Sequence, residues 1–95
     1  MQTHLERSGK ILLAREQVFD EVRRLVAEQA SLPAGEIREE HDLIGDLGYD
    51  SLDVVELAME LEEHFSITVP DNMSEEARTV GQITDGVLHL IAERE

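Results

Sequence analysis

An all-α bundle of three main helices and one short helix is predicted for this 95-residue chain. Two observations carry the prediction. Apolar residues recur at helical spacing in three separate stretches, and Pro33 with Gly35, then Pro70, interrupt the chain between them. The length allows one small domain, with the modest core and marginal stability that go with it.

The first helix is predicted from about Arg15 to Gln29, where Val18, Val22, Leu25 and Val26 share a face and Phe19 lies beside them. Residues 1–14 have no sustained period and are expected to form a flexible or briefly helical N-terminal extension ahead of a folded domain over 15–95. Pro33 and Gly35 end the first helix, and a long loop runs to Asp50 with Leu32, Ile37, Leu43 and Leu47 available to pin it to the core. The second helix spans about Ser51 to Phe65. Asp50 suits its N-cap, and a carboxylate at Asp53 favours the exposed amides of the first turn. Ile67-Thr68-Val69 is a short apolar connector stopped by Pro70, and a helical turn is expected near Asn72 to Ala77. The last helix runs from about Val80 to Glu93, with Val80, Ile83, Val87, Leu90 and Ile91 on one face, and Gly81 and Gly86 weaken it locally.

The formal net charge of −14 excludes nucleic acid as a partner and sets the chain against anionic membrane surfaces. From Glu39 to Ala77 there is no lysine or arginine, while thirteen aspartates and glutamates fall in that stretch. Such a one-sign field costs self-repulsion and implies partners with basic patches. There is no cysteine, so neither a disulfide nor a thiolate metal site can form, and any thiol chemistry must arrive on a cofactor. The only apolar run near the start, Ile11-Leu12-Leu13, is too short for a signal-peptide core or a membrane span, and a cytoplasmic monomer is expected.

Ser51 stands where the long loop meets the second helix. A serine there either caps the helix or carries a phosphate ester. The unpaired amides and positive dipole end of a helix start favour a phosphate, and general helix physics leaves both roles open. The run Asp46-Leu47-Gly48-Tyr49-Asp50-Ser51-Leu52-Asp53 resembles the signature of the acyl carrier protein family. The match continues through Val55-Glu56-Leu57 and Leu61-Glu62-Glu63-His64-Phe65 to Val69-Pro70-Asp71, with Thr79-Val80 opening the last helix. The resemblance implies a four-helix bundle and 4′-phosphopantetheine on Ser51, flanked by Asp50 and Leu52 and added from coenzyme A by a phosphopantetheinyl transferase. It implies a carrier of acyl thioesters, not an enzyme, that serves acyltransferases, ketosynthases and reductases in fatty acid biosynthesis. It also implies that the acyl chain folds back into the bundle, where Ala58, Met59 and Ile67 are the expected yielding walls. Tyr49 is similar to a residue found in some carriers of aromatic polyketide synthesis, which keeps a dedicated polyketide or lipid pathway as an alternative. As a residue on its own it reads as a loop aromatic packed on the surface. An unmodified acidic helical adaptor is the rival of another class.

On the wheel of the second helix, Val54, Leu57, Ala58, Leu61 and Phe65 form a core stripe. Leu52, Val55 and Met59 form a second, surplus stripe rimmed by Glu56, Glu62 and Glu63, and Asp53 lies at the same end of the helix. An apolar strip with an acidic rim suits brief docking of basic-patched enzymes. No calcium loop fits: counting from Asp42 puts Leu47 where glycine is needed, and counting from Asp46 puts Leu57 where glutamate is needed. His4, His41, His64 and His89 form no metal-ligand motif, and Gly48-Tyr-Asp-Ser-Leu is not a hydrolase nucleophile elbow.

Overall fold

The computed structural model describes the backbone of residues 3–94 and the side chains of residues 14–93. Helix α1 spans Thr3–Ala30, α2 Ser51–Phe65, α3 Asp71–Glu76 and α4 Val80–Arg94. The expected all-α bundle of three main helices and one short helix is what the chain forms. The expected start of the first helix near Arg15 falls inside α1, because residues 3–14 contain no proline and each added turn residue gains a hydrogen bond cheaply. Residues 1 and 2 of the expected extension lie outside the described residues, as do its side chains up to residue 13.

Helix α1 ends at Ala30, three residues before Pro33. Ser31 turns into the left-handed region (φ 59°), so that its amide donates to Glu28 O at 3.3 Å and the Leu32 amide donates to Ala27 O at 2.9 Å. That pair of bonds closes the helix end and satisfies two of its orphan carbonyls. A single 3₁₀ turn, Ala34–Glu36, follows within the loop. Ile37 and Leu43 are buried and Leu47 partly so, as expected. Leu32 is the exception. It is exposed, lying directly after the left-handed Ser31 where its backbone amide closes α1.

The core gathers Val18, Val22, Leu25 and Val26 of α1, Leu57 and Leu61 of α2, and Val80, Ile83 and Val87 of α4. Helices α1 and α2 lie antiparallel: Gln29 reaches Asp53 at the start of α2, and Glu21 reaches His64 at its end. The loop is stitched to the α3–α4 junction by backbone bonds from Leu43 N to Arg78 O, Val80 N to His41 O and Gly81 N to Glu39 O, all at 2.9–3.1 Å. Thr79 and Gln82 cap α4 reciprocally: the Gln82 amide donates to Thr79 Oγ1 and Gln82 Oε1 accepts from the Thr79 amide, each at 3.1 Å. Gly81, expected only to weaken α4, permits a close approach, since a Cβ there would meet Glu39 O at 3.2 Å. Arg15 locks the same corner. Its guanidinium forks onto both carboxylate oxygens of Glu39 at 2.9 Å and onto Asp85 at 3.0 Å. The hydrogen bonds from Arg15 hold the Glu39 carboxyl below its ordinary pKa.

Candidate functional site

Gly48, with φ +75°, sets the direction of the chain just before α2. A left-handed backbone is cheap for glycine and strained for most other residues. Asp50 then takes an extended conformation and caps the helix. Its Oδ1 accepts from the Asp53 amide at 2.8 Å, while Asp53 Oδ2 accepts from the Asp50 amide at 3.0 Å. This reciprocal box leaves Ser51 no capping role. Ser51 is exposed at the first helical position, and its hydroxyl has no hydrogen-bond partner among the described residues. The site therefore offers a free hydroxyl at the positive end of a 15-residue helix. Helix-start amides and open access suit a phosphodiester there.

Tyr49 corrects the expectation of a surface aromatic. It is buried, and its hydroxyl donates to Gln29 Oε1 at 2.7 Å. Gln29 in turn donates from Nε2 to Asp53 O at 2.9 Å. The chain Tyr49–Gln29–Asp53 thus clamps the end of the loop and the first turn of α2 onto α1. Burial, followed by the charges of Asp53 and Glu60, pushes the Tyr49 hydroxyl well above the usual phenol range, so it stays a neutral donor. Sequence reasoning missed this clamp. Its one trace is the placement of Gln29 three residues after Val26 on the buried side of α1.

The two stripes of α2 separate in space. Leu57 and Leu61 are buried, with Val54 and Phe65 packed against the core. Leu52, Val55 and Met59 are 65%, 51% and 60% exposed, with Glu56 and Glu63 exposed beside them. Asp53 and Glu62 are half-buried and otherwise engaged: Asp53 belongs to the capping box, and Glu62 Oε2 accepts from the Val69 amide at 2.9 Å, holding the connector to α3. Glu62 sits in the expected rim by sequence, yet its carboxylate serves the fold.

Between α2, α3 and α4 lies a small apolar cavity of about 20 Å³ lined by Leu57, Ala58, Leu61, Val69, Met73 and Ile83, among others. Ala58 is where the expected yielding wall would be. Met59 and Ile67 are not: Met59 faces water, and Ile67 packs near Leu90 on another side of the bundle. The flexible side chain at the cavity is Met73, whose thioether lies against Gly86 so closely that a Cβ there would collide with it. Among the described residues, no group of histidines and carboxylates could hold a metal ion, and no helix is long and apolar enough to cross a membrane.

Known proteins share both the sequence and the fold. A family profile described as the phosphopantetheine attachment site matches residues 20–87. The chain is 47% identical over 66 residues to an acyl carrier protein of Wolinella succinogenes, covering 70% of this chain and 87% of that one. It is 48% identical over 64 residues to one from Sulfurovum sp., covering 67% and 85%. In three dimensions it is similar to an acyl carrier protein of Thermotoga maritima (TM-score 0.74, 24% identity, 86% of this chain and 95% of that one). A second match is the acyl carrier protein of Enterococcus faecalis (TM-score 0.70, 28% identity, 80% and 96%). A third is the hexanoyl carrier of the actinorhodin polyketide synthase of Streptomyces coelicolor (TM-score 0.68, 24% identity, 80% and 92%). With its helical bundle, its phosphopantetheine attachment domain and its relatives, the chain belongs to the acyl carrier proteins, which are carriers of acyl thioesters on phosphopantetheine and not enzymes.

Proposed function

We infer that Ser51 is the residue that takes 4′-phosphopantetheine, and that the loaded protein serves fatty acid biosynthesis in the cytoplasm as a monomer. The single observation behind the first part is the free Ser51 hydroxyl between two aspartates that already satisfy the helix start. The Ser51 and Leu52 amides at the tip of α2 are placed to favour the phosphodiester, and Asp50 orients the turn that presents it. In a reaction run by a phosphopantetheinyl transferase, which takes up the hydroxyl proton, the Ser51 oxygen would attack the pantetheine-side phosphorus of coenzyme A and the P–O bond of its pyrophosphate to the adenosine side would break. A phosphodiester forms at Ser51 and adenosine bisphosphate leaves. When bound, the arm supplies the thiol this cysteine-free chain lacks.

The exposed strip of Leu52, Val55 and Met59, with the free carboxylates of Glu56 and Glu63, forms the docking face for the transferase, acyltransferases, ketosynthases and reductases. Asp53 and Glu62 add charge to that face while holding its backbone in place. The acyl chain folds in beside Ala58 and Met73, where the small cavity must widen to admit it, so that opening the core offsets part of the roughly 0.8 kcal/mol each buried methylene contributes. A fatty acid pathway is favoured over a polyketide one because Tyr49, the residue that suggested the latter, is held in the core clamp and does not line the cavity beside Ala58 and Met73.

Intact-mass measurement of the natively expressed protein with its cargo attached tests this reading. Saturated or 3-oxygenated straight chains on a phosphopantetheine adduct are expected. Polyketide cargo would redirect the pathway, and a wholly unmodified population would favour the acidic adaptor.

A further inference from the structure

Outside the α2 strip, the most exposed large apolar side chain among the described residues is Ile44, at 57%. Its exposure is enforced by the turn that carries it. Asp42 Oδ1 accepts from the Ile44 amide at 3.0 Å and the Gly45 amide at 2.9 Å, Asp46 Oδ2 accepts from the Asp42 amide at 2.7 Å, and the Asp46 amide returns to Asp42 O at 2.8 Å. The preceding residue, Leu43, is buried and tied by its amide to Arg78 O. With Leu43 fixed inward and the turn closed on both sides, Ile44 has no route into the core.

Ile44 and Val54 share the wall of an open groove of about 410 Å³, rimmed by the acids Asp42, Glu75 and Glu76 and by Arg78. Val54 is three residues after Ser51 and Val55 four. At 3.6 residues per turn they lie roughly 60° and 40° to opposite sides of Ser51. The Ile44–Val54 groove therefore flanks the modified end of α2 on one side, and the Leu52–Val55–Met59 strip flanks it on the other.

We propose that Ile44 is a second docking anchor, which enters an apolar socket beside a basic patch on the acyl-processing enzymes, so that a partner straddles Ser51 and not the α2 strip alone. The occupant is an enzyme surface because three carboxylates and only one guanidinium rim the groove, matching the basic patches that the rest of the acidic face demands. A rigid isoleucine on a closed turn costs little entropy to bind, which suits an anchor.

This inference rests on the carrier reading above, and the experiment separates the two. Wild type, Ile44→Ala and Met59→Ala are loaded with coenzyme A by a broad-specificity transferase and checked by mass. Failure of the wild type to load contradicts the carrier reading itself. The loaded proteins are then assayed as substrates of an acyltransferase from the same source organism, with melting temperatures recorded for unacylated and acylated forms. Ile44→Ala is expected to raise KM about fivefold or more, as Met59→Ala does, with kcat and both melting temperatures unchanged. A KM within about twofold of wild type overturns the proposal. So does an unchanged KM with a lower melting temperature only in the acylated form, which would make Ile44 a cover for cargo.

Discussion

Leu57 and Leu61 on one side of α2 and Leu52, Val55 and Met59 on the other are chemically alike, yet the first pair is buried and the second set faces water. Both stripes recur at helical spacing, so periodicity alone does not assign their roles. What separates them is the partner each side meets. Leu57 and Leu61 face the valines of α1 and α4, whereas nothing among the described residues covers the other side. One apolar stripe suffices to bury a helix of this length. The uncovered one is the apolar surface that the proposed docking face would use.

Truncation breaks or sharpens this comparison most strongly. Leu61→Ala is expected to cost about 2–5 kcal/mol of folding stability, whereas Met59→Ala stays within about 0.5 kcal/mol. Denaturant melts of the two variants check this, and equal losses would erase the distinction between the faces. Glu56→Lys should leave the melt unchanged, slow transfer from partner enzymes and flatten the fall of association rate with rising salt. A salt series on wild type and variant reads that outcome.

A smaller effect belongs to the clamp beneath the site. Tyr49→Phe keeps the ring and removes the donor to Gln29, and a loss of about 0.5–1.5 kcal/mol is expected by the same melts. No change would mean that water replaces the hydroxyl at no cost.

The smallest effect is electrostatic. The Glu39 carboxyl is held below its ordinary value of 4.5 by Arg15. A lowered pKa in the folded state contributes stability above the ordinary value and loses it as the pH falls through the lowered one. The melting temperature of wild type should therefore exceed that of Glu39→Gln near neutral pH, and the gap should close below about pH 4.5. A gap that stays constant into acid would show that Arg15 contributes packing and not charge.

Much of this was legible in the residues because local chemistry decides it. Asp50 before Ser51 marks the N-cap of α2 and Asp53 suits its first-turn amides, and α2 begins and ends at Ser51 and Phe65 as its pattern requires, while the return bond from the Asp50 amide to Asp53 emerges only in three dimensions. The valine and leucine periods of α1 and α4 name the core directly. What stayed hidden depends on pairs far apart in the chain. Tyr49 is buried because Gln29, 20 residues away, accepts its hydroxyl, and Gly81 packs tightly because Glu39 crosses over it. Glu62 turns toward Val69 for a hydrogen bond that no helical wheel can display. Met59 and Ile67 failed as cavity walls for a related reason: a wheel and a flexible side chain suggest adaptability, but only the placement of α3 shows that Met73 is the one that lines the space.

The central claim is that Ser51, freed from capping by Asp50 and Asp53, carries the arm. Its most direct test is intact-mass spectrometry after incubating wild type and Ser51→Ala with coenzyme A and a broad-specificity phosphopantetheinyl transferase. The wild type should gain a single 4′-phosphopantetheine and Ser51→Ala none, with the helical circular dichroism of the two superimposable. A wild type that stays unmodified, or a Ser51→Ala protein that still gains the group, would contradict the account.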